Sequence, residues 1–315
     1  WPEGIKDRGS LRRDPGHVVD FLPTLLDLAG LEPEASVNGK SVPPLHGTSL
    51  VPAFAAEGSV NREFLYFNHH TQVNNRALRM KQWKIVASGT DDHGWELYDL
   101  EKDPFETINL AGDTAYLDQL MDMRGLLTSW VKGMPDLSFY PESVLRDKAF
   151  DDPVLFGQQH KDEIEEFVDI ADLSLSSFEE AREGINAALS SGDPVKVYWG
   201  LIVCSSFGEE AEPFYGIARA LCSHEELLVR TRAAEFLALT GIEDPVPVII
   251  EALRQTGDGI EALLILNSLV LLMDGPNAYD FVLNENDFKP EVLKNDQVLR
   301  RLEYIHSRME QPKIL

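Results

Sequence analysis

Cysteine is scarce in this sequence, and long hydrophobic runs are absent. The 315 residues include two cysteines, Cys204 and Cys222, and both lie within apolar helical patterns. That setting is typical of small buried side chains and does not indicate a disulfide or a metal ligand. The richest apolar stretch covers residues 262–273, short of the roughly 18 residues that a membrane-spanning helix needs. The two cysteines do not indicate whether the protein is located in a reducing or an oxidising compartment. Because no long apolar run is present, we expect no membrane partner.

Basic residues are also scarce. The chain has 28 Lys and Arg against 53 Asp and Glu, a formal net charge of −25. The excess is uneven, because residues 1–135 carry a net charge of −6 and residues 136–315 carry −19. Such a surface repels phosphate groups, so we expect no nucleic-acid partner. A chain of this length, 43% hydrophobic, has room for about two domains of ~100–200 residues each.

The printed sequence begins Trp1-Pro2-Glu3, without a methionine, a basic segment or an apolar leader segment. We therefore expect that any signal peptide or upstream domain has been removed or was not included. The N-terminus does not indicate a localisation.

The first helical pattern lies in residues 14–30. We expect Asp20 to be its N-cap, because Pro23 then falls in the first turn, where backbone N–H groups have no partner within the helix. Gly30 is the predicted stop. The apolar members of this pattern are Phe21, Leu22, Leu25, Leu26 and Leu28.

The pattern changes to a period of two between residues 63 and 100. Four short segments, FLYF, RALRM, WKIV and WELYDL, alternate with polar or glycine-containing turns, which favours antiparallel strands. Asp103-Pro104 marks a turn, and Asp113 can cap a following helix. One face of that helix carries Leu117, Leu120, Met121, Leu127 and Val131. The fold class predicted for this part is α+β, a small antiparallel sheet with a covering helix.

The remainder is helical. Residues 136–175 are predicted to be an acidic connection with one helix, and residues 176–315 an all-α domain, after a first domain at 1–135. Helices open near Asp193, Glu225 and Asp258, 32 and 33 residues apart, each followed by a second amphipathic segment. This period predicts an α-solenoid of helix pairs, with an irregular helical bundle as the alternative. We expect Arg230 and Arg232 to bond to a neighbouring helix end or an inter-repeat acid.

Five blocks of residues 1–135 occur in the order found in one enzyme family. They are WPEGI, HVVDFLPTLLDLAG, LHGTSLVPAF, NNRALRMKQWKIV and ELYDLEKDPFETINLA. In this order they resemble the C-terminal part of the type I sulfatases, the formylglycine-dependent, arylsulfatase-like enzymes of the alkaline phosphatase superfamily. Residues 193–241 look like the HEAT-type repeats that follow the sulfatase region in some bacterial members.

The resemblance also implies parts that this sequence lacks. In that family a Cys or Ser within C/S-x-P-x-R becomes the formylglycine, and acidic residues with an Asn hold a divalent cation, here expected to be calcium. Cys204 is followed by Ser-Ser-Phe-Gly and Cys222 by Ser-His-Glu-Glu, so neither fits. We expect no catalytic residue and no metal site in this chain, which would be the C-terminal portion of a sulfatase without its catalytic core.

The expected partners follow from that interpretation. They are the missing N-terminal catalytic domain, a sulfated small molecule or glycan, and a second copy of the chain as a candidate homodimer. The resemblance favours a periplasmic or secreted protein. Two alternatives stay open, a non-catalytic helical-repeat scaffold that binds a protein or glycan, and a fragment of a related phosphatase or phosphonate hydrolase.

One polar segment is a candidate for substrate contact. It joins two predicted strands and carries His69, His70, Asn74 and Asn75. In similar sulfatases a histidine segment before the N-R-A-x-R strand lies at the rim of the substrate pocket, and these side chains can donate hydrogen bonds to a sulfate oxygen or a sugar hydroxyl. The alternative is a solvated hairpin loop without a ligand.

Overall fold

The structure, a computed structural model, divides along the chain into two compact units, Trp1–Trp130 and Val131–Leu315. It describes residues 1–5, 8–55, 58–70, 74–87 and 94–310, without the side chains of residues 69, 70, 74, 75, 309 and 310. The domain limits predicted at residues 135 and 175 stay predictions. Each unit is described by itself.

The first unit begins with helix α1 (Phe21–Ala29), entered through a 3-10 turn at Val18–Asp20. As predicted, Asp20 is the N-cap residue and Gly30 ends the helix in the left-handed conformation at φ 69°. A minimal hairpin of β1 (Ser36–Val37) and β2 (Lys40–Ser41) follows. Thr24 is the buried residue of α1, and four of its larger apolar side chains, Phe21, Leu22, Leu25 and Leu28, are exposed.

A four-stranded antiparallel sheet follows α1, as the period-two pattern predicts. Its strands are β3 (Leu65–His70), β4 (Asn74–Met80), β5 (Trp83–Ala87) and β6 (Trp95–Asp99), which lie in sequence order. The register places Leu78 beside Ile85, and Ile85 beside Leu97, so the three share one face. All three are fully buried, which makes this row the centre of the sheet's core.

Helix α2 (Leu117–Gly133) covers that face of the sheet. Trp130 lies edge-on to Phe64 with ring centroids 4.8 Å apart, and the Arg124 guanidinium stands 5.1 Å above the Trp95 ring. Within the first unit, the buried positions of α2 are Leu120, Met123 and Leu127. The predicted face was wrong at Leu117 and Met121, which are 52% and 53% exposed. A helical repeat of 3.6 places Met123, and not Met121, in line with Leu120 and Leu127.

The segment after β6 folds back along the outer edge of that strand. The Asn109 Oδ1 atom accepts hydrogen bonds from the Leu97 N–H at 3.0 Å and the Ala111 N–H at 2.9 Å, and its Nδ2 atom donates to the Trp95 carbonyl at 3.2 Å. The Leu110 N–H donates to the Leu97 carbonyl at 2.8 Å. Asp103 closes the turn by accepting from the N–H groups of Thr107 and Ile108. The Asn109 side chain and the Leu110 N–H therefore satisfy backbone groups that β6 leaves open at its outer edge.

We expect Asn109→Ala to lower the free energy of unfolding of the first unit by about 1–2 kcal/mol, because two backbone donors and a carbonyl lose their partner. Four of the five tryptophans lie in residues 1–130, so tryptophan fluorescence during urea unfolding reports on this unit. Thr114→Ala, at an exposed position in the next turn, is the matched control. Equal midpoints for the two variants would contradict this role of Asn109.

The second unit is helical. Its α-helices in chain order are α3 (Glu142–Lys148), α4 (Pro153–Gln159), α5 (Lys161–Asp172), α6 (Phe178–Leu189), α7 (Pro194–Phe207), α8 (Tyr215–Leu221), α9 (Leu227–Leu239), α10 (Val246–Gln255), α11 (Gly259–Asp274) and α12 (Asp296–Glu310). Residues 136–175 thus contain three helices, of which α5 coincides with the predicted one. None of the helices in the described ranges has the length and apolar content needed to cross a bilayer.

Helix α9 lies at the centre of this unit, in contact with α7, α8, α10 and α11. Phe236 and Leu237 are fully buried in its core. The buried carboxylate of Glu235 accepts hydrogen bonds at 2.7 and 2.8 Å from Arg232, which also donates to the Tyr198 hydroxyl on α7 at 2.9 Å. Arg230 donates to Gln255 at the end of α10, as predicted. For Arg232 the prediction of a neighbouring helix end or an inter-repeat acid was wrong, because its acid lies on its own helix and Tyr198 lies inside α7.

Candidate functional site

The four residues predicted to contact substrate lie together at one end of the β3–β4 hairpin. The backbone register pairs His69 with Asn75 and His70 with Asn74. Residues 71–73, which join the strands, lie outside the described residues, as do the four side chains. The backbone therefore brings the predicted set to one place, and the contact with substrate stays a prediction.

A histidine that the sequence analysis did not single out lies beside the same strand. The His17 ring stands edge-on to Phe67 of β3, with centroids 5.0 Å apart and an interplanar angle of 66°. Its Nδ1 atom accepts a weak hydrogen bond from the Val19 N–H at 3.4 Å. His17 precedes α1 by four residues, so no local pattern indicates its proximity to β3.

Asp20 connects His17 to the chain that enters β3. Its carboxylate is fully buried and accepts from the His17 N–H at 2.7 Å, the Thr48 N–H at 2.9 Å and the Arg62 guanidinium at 2.5 Å. Burial raises the pKa of this carboxyl, but the amides of Thr48 and His17 and the charge of Arg62 outweigh it and hold the pKa below its ordinary value. Arg62 lies three residues before β3. Asp20 is therefore a charged anchor that positions the strand.

The Thr24 side chain extends this anchor. Its hydroxyl donates to the Asp20 carbonyl at 2.6 Å and accepts from the Leu50 N–H at 2.9 Å. Together, Asp20 and Thr24 hold the residues around Thr48 against the inner side of α1. The buried contact of α1 is thus made by the polar Thr24, while Phe21, Leu22, Leu25 and Leu28 are exposed.

Neither cysteine is placed to act as a nucleophile. Burial raises the pKa of the Cys204 thiol to about 12, and burial with the nearby charge of Glu243 raises that of Cys222 to about 11, so both are protonated at neutral pH. Within the described ranges, no three His, Cys, Asp or Glu side chains are grouped to hold a metal ion. Neither cysteine lies in a C/S-x-P-x-R sequence, so neither fits a formylglycine.

A comparison with protein families finds a match for the first unit. Residues 1–132 match the family described as N-sulphoglucosamine sulphohydrolase, C-terminal. These residues form a sulfatase C-terminal domain. Helix α1, the four-stranded antiparallel sheet with Asn74 and Asn75 on β4, and all but the last residue of α2 fall within the matched residues.

Curated relatives of this sulfatase C-terminal domain are named as sulfatases. The N-acetylglucosamine-6-O-sulfatase of Bacteroides thetaiotaomicron is 29% identical over 43% of this chain and 24% of the relative. Arylsulfatase K of Xenopus laevis is 31% identical over 34% and 21%. The delta 4,5-hexuronate-2-O-sulfatase of B. thetaiotaomicron is 33% identical over 38% and 24%. The chain thus spans about a quarter of the length of these relatives.

Among solved structures, one match is a protein in complex with its substrate D-glucosamine-2-N,6-O-disulfate. It is 27% identical, covers 36% of this chain and 23% of that chain, and superimposes with a TM-score of 0.31. The matches in sequence, and not this superposition, carry the assignment of residues 1–132.

Proposed function

We propose that this chain is the C-terminal portion of a sulfatase, and that the whole protein hydrolyses sulfate esters or sulfamates of a carbohydrate or aryl substrate. The match of residues 1–132 to a sulfatase C-terminal domain carries this proposal. Supporting it, the relatives are named for sulfated hexosamines, hexuronates or aryl compounds. In this proposal, the nucleophile and the calcium ion of the intact enzyme lie in an N-terminal catalytic domain.

The exposed apolar side chains of α1 support the proposal that another domain covers this helix. Phe21 and Leu25 are each 63% exposed, and Leu22 and Leu28 are also exposed. Val18, just before the helix, is 67% exposed. A contiguous apolar surface of this kind is typical of an interface, because each such side chain gains about 1.5–3 kcal/mol on full burial. We propose that the catalytic domain covers α1.

The hairpin end is the proposed contribution of this chain to substrate binding. His69, His70, Asn74 and Asn75 would donate N–H groups to sulfate oxygens or sugar hydroxyls at the rim of the site. Asp20 holds the approach to β3 through Arg62, and so fixes the strand that carries both histidines. A solvated loop without a ligand is the alternative, and substitution of the histidines distinguishes the two.

For the helical part we propose a HEAT-like α-solenoid. The N-cap residues of α7, α9 and α11 are Asp193, Glu226 and Asp258, which lie 33 and 32 residues apart. Helix α9 contacts both α7 and α11, as successive repeats do. This regular stacking favours a solenoid over an irregular bundle.

The test uses both the 315-residue chain and the product of its full coding region. We expect no hydrolysis of 4-methylumbelliferyl sulfate by the chain, and a C/S-x-P-x-R motif followed by sulfatase activity in the longer product. In that product, His69→Ala or His70→Ala should raise KM about tenfold, corresponding to ~1.4 kcal/mol of lost binding, with His306→Ala on α12 as the control.

Three outcomes would contradict the proposal. Turnover by the 315-residue chain that is lost with His69 would place catalysis in this chain. A coding region without the motif would favour the non-catalytic scaffold. A longer product that hydrolyses phosphate or phosphonate esters in preference to sulfate esters would favour the related phosphatase or phosphonate hydrolase.

A further inference from the structure

The second unit contains a cavity that the sulfatase assignment does not use. Its volume is about 510 Å³, within the range of roughly 300–1,000 Å³ that small-molecule sites occupy. The wall is made by the turn at Tyr140, by α3, α4 and α5, and by the first turns of α7, α9 and α11. Residues from distant parts of the helical half therefore converge on one concave space.

Three aromatic side chains give this cavity an apolar wall. Tyr140, Phe156 and Tyr198 line it, and each is less than 10% exposed. Tyr140 packs edge-on against Phe156, with centroids 5.3 Å apart, and His160 stacks on Phe156 at 4.0 Å. These contacts hold the rings in place before any ligand enters, which lowers the entropic cost of binding.

The polar part of the lining is strongly acidic. The described lining has six carboxylates and one lysine, Lys148. Arg146, just outside the lining, forms ion pairs with two of the six, Asp147 and Asp258. The six are Asp147, Glu163, Asp193, Glu226, Asp258 and Glu261. Low-dielectric walls concentrate the field of such charges in a concave space. The cavity therefore attracts cations and repels a sulfated compound.

The Tyr140 phenol lies close to two of these carboxylates, Glu163 and Asp193. Its hydroxyl donates to the Glu163 carboxylate at 2.7 Å. Burial raises the pKa of the Tyr140 phenol well above its ordinary value, and the hydrogen bond to Glu163 and the negative charges of Glu163 and Asp193 raise it further. The phenol stays protonated at all ordinary pH values and remains a fixed donor to Glu163.

The spacing of the helices explains how the acids come together. Asp193, Glu226 and Asp258 are the N-cap residues of three successively stacked helices. Two of them are satisfied locally, because Asp193 accepts from the Val195 N–H at 2.8 Å and Asp258 from the Glu261 N–H at 2.7 Å. Glu226 makes no side-chain cap bond to its helix, and its carboxylate has no ion pair among the described residues. It is the carboxylate most available to a ligand.

We propose that this aromatic-walled cavity binds a small organic cation, an aliphatic ammonium compound such as a diamine. Its methylene groups would pack against Tyr140 and Phe156, and its ammonium would pair with Glu226, aided by the attraction between cations and aromatic rings. A bare metal ion fits less well, since the described residues contain no three-ligand group. This site does not depend on the sulfatase proposal.

The test is calorimetric titration of the 315-residue chain with 1,4-diaminobutane in about 0.15 M salt, which screens the general attraction of cations to a chain of net charge −25. The neutral butane-1,4-diol is the control ligand. Glu226→Gln removes the charge at an exposed position, and Glu303→Gln does the same on α12, away from the cavity.

We expect saturable binding of one diamine per chain, weakened at least tenfold by Glu226→Gln and unchanged by Glu303→Gln. Circular dichroism would verify that both variants keep the helical fold. Absence of saturable binding, equal binding of the diol, or equal weakening by the two variants would overturn the proposal, because each is incompatible with a charge-selective site at Glu226.

Discussion

Replacing Asp20 by asparagine is expected to lower the free energy of unfolding of the first unit by about 3 kcal/mol. The change leaves Arg62, whose side chain is 10% exposed, without its charged partner, and weakens the acceptor for two backbone N–H groups. Breaking one side of a buried ion pair costs roughly 3–5 kcal/mol in general. Urea unfolding followed by tryptophan fluorescence measures the effect.

The pH dependence of this effect has a definite sign. The pKa of Asp20 is lower in the folded chain than the ordinary value near 4, so its stabilisation is present above that value. It is lost as the pH falls through the pKa of the folded state. The difference between wild type and Asp20→Asn should therefore shrink on acidification, and should be constant between about pH 6 and 8.

Asp27→Asn is the matched control for Asp20, since Asp27 lies on the same helix but is exposed and accepts a hydrogen bond from Ser49. We expect it to cost less than about 1 kcal/mol. A loss at Asp20 no larger than the loss at Asp27, or a difference that does not change with acidification, would show that the anchor is not electrostatic.

Replacing Glu235 by alanine is expected to cost about 3–5 kcal/mol of the free energy of unfolding of the helical unit. Glu235 is buried and binds Arg232 through both oxygens, so its removal leaves a guanidinium facing a cavity next to the fully buried Phe236. Far-UV circular dichroism during urea unfolding reports on this unit. Glu251→Ala on α10, where the Arg254 pair is half exposed and 3.9 Å long, should change stability by less than about 1 kcal/mol.

A double replacement separates the charge from the packing in this pair. Arg232→Met with Glu235→Leu removes both charges and fills the space with apolar atoms, so we expect it to cost less than Glu235→Ala alone. If the double variant is the less stable of the two, then the hydrogen bonds of Arg232 to Glu235 and Tyr198, and not the relief of an unpaired charge, dominate.

Local patterns predicted most of the first unit. The short polar turns determine an antiparallel sheet in sequence order, and Gly30 ends α1 where predicted. Periodicity could not show which molecule covers an apolar helix face, so it did not predict that Thr24 would be the buried residue of α1. Nor could it show that the Asp20 carboxylate binds Thr48 and Arg62, which lie 28 and 42 residues further along.

The candidate sites differ in how far the sequence could predict them. His69 and Asn75 come together because a hairpin joins neighbours in the chain, and that follows from local pattern. The cavity depends on Tyr140, Glu163 and Glu226, which belong to three separated elements, and only the stacking of helices brings them to one wall. The 32–33-residue period in the sequence indicates that the helices stack, but it does not indicate that a cavity forms between them.

The segment around Asn109 has a consequence beyond its own stability. By occupying the Trp95 carbonyl and the Leu97 N–H and carbonyl, it uses the groups to which a strand from another chain would have to bind. Unprotected edge strands are where sheets of separate molecules join and fibres grow. Asn109 and Leu110 therefore act as a built-in cap against aggregation at β6, and the motif that makes this domain recognisable in sequence is also what keeps its sheet from extending into a neighbour.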